Sequence, residues 1–92
     1  MEDDELMSLA KMGIDAEDFI RSPLGKFLIK KAEAEINDAT EDLIMADPDD
    51  VKANTEIRNR IHVARMFVVW LSESVNIGRV AHDQMREMEE NE

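Results

Sequence analysis

A chain of 92 residues with 22 acidic and 11 basic side chains, a formal charge of −11 and no Cys has room for one domain. The missing Cys excludes disulfides, thiolate metal sites and a Cys nucleophile. The charge disfavours direct binding to a nucleic-acid backbone or an anionic membrane.

No stretch approaches the roughly 18 apolar residues of a membrane span. The first residues, Met1-Glu2-Asp3-Asp4-Glu5, are the opposite of a basic signal-peptide start. The expectation is a soluble protein of the cytoplasm. Residues 1–50 hold 15 acids and 5 bases, whereas residues 51–92 hold 7 acids and 6 bases. The acidity therefore belongs to the first half, and Arg58, Arg60, Arg65, Arg79 and Arg86 belong to the second.

Leu6, Leu9 and Met12 share one side of a helical pattern over about residues 2–12. Gly13 reads as the residue that ends it. Asp15, with Asp18 three residues on, reads as the cap of a second short helix over 15–21 that carries Phe19 and Ile20. Ser22-Pro23 is a further start signal, with Ser as N-cap and Pro where its missing N–H costs nothing.

From Pro23 to about Ala46 the apolar positions Leu24, Leu28, Ala32, Ile36, Ala39, Leu43 and Ala46 recur at steps of three and four. Asp47-Pro48-Asp49-Asp50 is the clearest turn. Pro48 disfavours helix at Asp47, so Asp47 reads as the cap of a last helix beginning at Pro48. That helix carries a heptad seam of Ile57, Ile61, Ala64, Val68, Leu71 and Val75. Gly78 and His82 take the next seam positions, which predicts a kink or fray near Asn76–Gly78 and a weakened extension to about residue 89. The acidic tail, residues 87–92, reads as disordered.

A two-to-four-residue turn forces two long helices antiparallel. The predicted fold is all-α and single-domain: a helical hairpin closed by Leu28, Ile36 and Leu43 on one arm and Ile57, Ile61, Val68 and Leu71 on the other. A hairpin alone buries too little surface, so the short N-terminal helices are expected to form a third layer on it, in an oligomer.

Around residues 61–71 the last helix is apolar on two sides. One stripe closes the hairpin, and Val63, Phe67, Trp70 and Ile77 make a second at the same spacing. Either the N-terminal segment covers this second stripe, or another protein does. Trp and Phe in one stripe are common interface anchors, which favours a protein partner or a second copy.

Other constellations are weaker. Arg58, His62 and Arg65 lie on one helix face, either to contact an anion or to pair with Glu35, Asp38 and Asp42 across the hairpin. The pairing is the expectation. The acids Glu33, Glu35, Asp38, Glu41 and Asp42 lack the Glu-x-x-His unit of carboxylate-bridged metal sites, so they read as a solvated face with no metal or cofactor. Ser8, Ser22, Ser72 and Ser74 have no triad context, and Gly13, Gly25 and Gly78 lie too far apart for a phosphate loop. No enzyme is expected.

Ser22-Pro23-Leu24-Gly25-Lys26-Phe27-Leu28, Lys31-Ala32-Glu33-Ala34-Glu35, the Asp47-Pro48 turn, Ala64-Arg65-Met66-Phe67, Trp70-Leu71 and Gly78-Arg79 together resemble small helical open reading frames of tailed bacteriophages. The resemblance covers roughly residues 19–82. It implies a phage or prophage origin among virion-assembly and packaging proteins, in the host cytoplasm or with the virion, and carries over no site residue. The expected function is a self-associating assembly, packaging or adaptor factor. The alternative is an acidic mimic of nucleic acid that inhibits a host or defence protein.

Overall fold

Helix α1 spans Asp3–Arg21, α2 Pro23–Met45 and α3 Val51–Glu90 in the computed structural model, which describes residues 3–91. All three form where apolar residues recur at helical spacing and no Pro interrupts the run after the first turn. The described residues contain no strand. Residues 1, 2 and 92, part of the expected first helix and tail, lie outside those described.

Gly13 does not end a helix. It lies buried inside an uninterrupted α1, so the expected break at 13–15 is absent and Asp15 caps nothing. Gly78 likewise lies buried within a continuous α3. Neither glycine has a positive φ. Both are explained by packing: a Cβ built on Gly13 would stand 2.6 Å from Gly78 Cα, and one on Gly78 2.5 Å from Gly13 Cα. Two backbones touch here, and only residues without a Cβ allow it. The helix cost of about 1 kcal/mol for each glycine is offset by the close approach of two whole helices.

Ser22 caps α2 as its sequence implies. Its Oγ accepts from Gly25 N at 3.0 Å and donates to Phe19 O at 2.6 Å, and Pro23 sits in the first turn. The corner so formed is tight. A Cβ on Gly25 would fall 1.7 Å from Phe19 O. At the other corner, α3 begins at Val51, three residues later than expected. Asp47 Oδ1 accepts from Asp49 N at 2.9 Å within the turn, and Asp50 is the cap, accepting from Ala53 N at 3.1 Å. Asp47 is occupied in turning the chain, so the next acid starts the helix.

Down the chain, partners on α3 run in reverse order. Glu35 and Asp42 of α2 meet Arg60. Glu17 of α1 meets Arg79 at 2.9 Å, and Asp3 and Met7 border a hollow with Met85, Met88 and Glu89. The N-terminal segment packs on the hairpin as expected, but against the far half of α3: helices α1 and α2 follow one another along α3, and α1 meets α2 far less than it meets α3. A 40-residue helix is about 60 Å long, which matches the long dimension of 63 Å. The radius of gyration of 18.7 Å compares with about 12 Å for a compact domain of this length.

This shape leaves little interior. The buried apolar residues among those described are Leu6, Ala32, Ala39, Val75 and Ala81. Of the expected core, Leu28, Ile36, Leu43, Ile57, Ile61, Val68 and Leu71 are all half-buried. Small Ala and Gly side chains occupy the innermost positions and let the helices approach, and the larger ones flank them. The tail expected to be disordered from residue 87 is helical to Glu90, where Asn91 N closes the helix on Glu87 O at 3.1 Å.

Candidate functional site

On one face of the rod, α2 and α3 diverge into a groove of about 640 Å³. Leu28, Ala32, Val63, Ala64 and Phe67 supply its apolar lining, and Lys31, Glu35, Glu56, Asn59 and Arg60 its polar border. On α3 the lining positions advance by three and four. Continued in the same steps, they reach Trp70, Ser74, Ile77, Ala81, Gln84 and Met88. On α2 the same rule run backward reaches Phe27 and Leu24. Much of this face is open: Val63 is 70% exposed, Trp70 60%, Phe27 62% and Leu24 59%. Ile77 is also exposed, and Phe67 is half-buried in the groove. Segment α1 does not cover the Val63–Trp70 stripe because it lies further along α3.

Leu24 belongs to the apolar stripe that the sequence shows, whereas Phe27 and Lys31, which follow the same steps on the groove side of α2, are not singled out by the sequence pattern. Phe27 beside Leu24 and Leu28 widens the apolar stripe of α2 beyond what one partner helix needs.

The basic residues are arranged differently from expectation. Arg60 makes the cross-helix pairs, with Nε 2.7 Å from Glu35 Oε1 and an Nη 2.9 Å from Asp42 Oδ2. Hydrogen bonds donated to Glu35 first and to Asp42 second raise the pKa of its guanidinium above the ordinary arginine value. Glu35 and Asp42 are one heptad apart and so share a side of α2, where one forked guanidinium reaches both. Arg58, His62 and Arg65 make no ion pair among the described residues, nor does Asp38. They lie on the other flank of the seam and project into solvent.

Two smaller hollows lie further along the rod. One of about 230 Å³ lies where α1 crosses α3, lined by Ala10, Gly13, Ile14, Val75, Gly78 and His82 among others. The other, about 200 Å³, is the Met7, Met85 and Met88 hollow at the rod's end. Among the described residues no three His, Asp or Glu side chains converge in a way that would hold a metal ion. No described helix is long and apolar enough to cross a membrane.

Comparison with protein-family models, with curated proteins and with solved structures finds no match to this chain.

Proposed function

We propose that this chain is a non-enzymatic self-association module, a helical hairpin that reaches a complete core only when a second copy covers its groove face. The observation that carries the reading is the groove lined by Leu28, Val63 and Phe67, together with the exposed apolar side chains Val63 and Trp70 of α3 and Leu24 and Phe27 of α2. Surface area supports it. The chain exposes 7187 Å², against about 5,400 Å² for a compact monomer of 10.5 kDa. The excess is larger than the roughly 800 Å² that each partner contributes to a stable interface. The resemblance to helical phage reading frames supports placing such a module among assembly, packaging or adaptor factors.

Sedimentation at two concentrations, with wild type and Trp70→Ala, tests this. Wild type sediments as an oligomer at tens of micromolar. Trp70 is mostly exposed in the single chain, so its loss changes monomer stability by about 1 kcal/mol or less. As an interface anchor worth about 2 kcal/mol it weakens association roughly 30-fold. A strictly monomeric wild type, or a Trp70→Ala variant that assembles like wild type, refutes the reading.

A further inference from the structure

We infer that the hollow at the rod's end is a binding site for a soft monovalent metal ion, Cu(I), held by the thioethers of Met7, Met85 and Met88. The site lies apart from the α2–α3 groove and does not rest on the self-association reading. On α3, Met85, Met88 and Glu89 stand at steps of three and four, and on α1 Asp3 and Met7 stand four apart. Each set therefore shares one helix face. The two faces meet because the start of α1 lies against the end of α3, and all five side chains line one hollow of about 200 Å³.

The chemistry of the lining selects the ion. Thioether sulfur is a soft donor that favours Cu(I), whereas Mg, Ca and Mn favour carboxylate and carbonyl oxygen. The chain contains no Cys, so no thiolate competes for a soft metal. Zinc is held by sets of thiolate, imidazole and carboxylate, and beside its sulfurs the hollow offers only the carboxylates of Asp3 and Glu89. Those two carboxylates offset the charge of a cation. An unbranched side chain with three rotatable bonds lets sulfurs from both helices turn to one centre. Packing alone accounts poorly for the cluster. Leu6, 2% exposed, makes the buried contact at this end of α1, while Met7 stays 57% and Met88 44% exposed. A bound ion would tie the first turn of α1 to the last turns of α3, an attachment that no ion pair makes there among the described residues. Met12, Met45 and Met66 line none of the three hollows and serve as internal controls.

The test titrates the full chain, carrying methyl-labelled methionine, with Ag(I), which has the charge and softness of Cu(I) and stays monovalent in air. Nuclear magnetic resonance follows the methyl groups, assigned by single Met→Leu variants. One equivalent is expected to shift the resonances of Met7, Met85 and Met88 together and leave those of Met12, Met45 and Met66 unmoved. The melting temperature rises with free Ag(I), because the three thioethers converge only in the folded chain. Leu conserves the apolar volume of Met, so a Met7→Leu, Met85→Leu, Met88→Leu variant melts near wild type without metal and loses both responses. Shifts spread over all methionines, no saturation at one equivalent, or an unaltered response in the triple variant overturns the site. So do the same shifts produced by Zn(II) at the same concentrations. Should the triple variant fail to fold, the wild-type shifts decide by themselves.

Discussion

Replacing Gly78 by Ala sets two physical effects against each other. Helix propensity alone favours the change by about 1 kcal/mol, because Gly inside a helix is that much worse than Ala. Packing opposes it. The new Cβ would lie 2.5 Å from Gly13 Cα, 2.9 Å from Gly13 N and 3.1 Å from Leu9 O, all atoms of backbone that no rotamer change can move. Ordinary contact begins near 3.4 Å, so α1 must retreat by about 1 Å along its crossing with α3. That retreat loosens Leu6 and Val75, two of the few buried apolar residues.

Overpacking costs typically 1–3 kcal/mol, and a clash with backbone on both near sides belongs at the upper end. After the propensity gain, a net loss of about 2 kcal/mol remains. For a domain of this size that lowers Tm by roughly 10 °C. Thermal and urea melts followed by far-UV circular dichroism, at one fixed protein concentration, measure it. Gly13→Ala is expected to behave similarly. The double variant loses less than the sum, because the second Cβ enters a crossing already opened by the first. An unchanged or raised Tm in Gly78→Ala refutes the close crossing and returns Gly78 to the role of a tolerated helix residue.

Leu6, 2% exposed, is the most deeply buried large side chain of α1. Leu6→Ala costs about 2–5 kcal/mol, and hydrogen exchange shows amide protection lost first in Asp3–Arg21 while the turn-proximal parts of α2 and α3 stay protected. Equal loss across all three helices would refute that local picture. Ser22→Ala removes the cap on Gly25 N and is expected to cost about 1 kcal/mol, read as a lower urea midpoint with an unchanged m-value. A midpoint equal to wild type would mean that the corner is held by Gly25 packing alone.

Much was determined by the sequence itself. All-helical architecture follows from helix formers at three-and-four spacing with only two Pro and three Gly. The Ser22-Pro23 start and the Asp47–Asp50 turn were legible because capping and turn chemistry act within four residues. So was the stripe Val63, Phe67 and Trp70, because helical periodicity shows which residues share a face. Periodicity also showed that the last helix has more apolar surface than one partner needs.

Only the tertiary structure decided the rest. Gly13 and Gly78 carry the same local signal as helix terminators, and nothing near them in the chain distinguishes a break from a close crossing; the deciding atoms lie on the other helix, 65 residues away in sequence. Arg60, and not Arg58 or Arg65, pairs with α2 because the seam's flank is fixed by how the helices rotate about each other. The course of α1 along the far half of α3, which leaves the Trp70 face uncovered, depends on the corner angle at Gly25 and on the glycine crossing together. Local residue chemistry sets where helices start and which faces are apolar. Where those faces end up requires summing contacts between residues far apart in the chain.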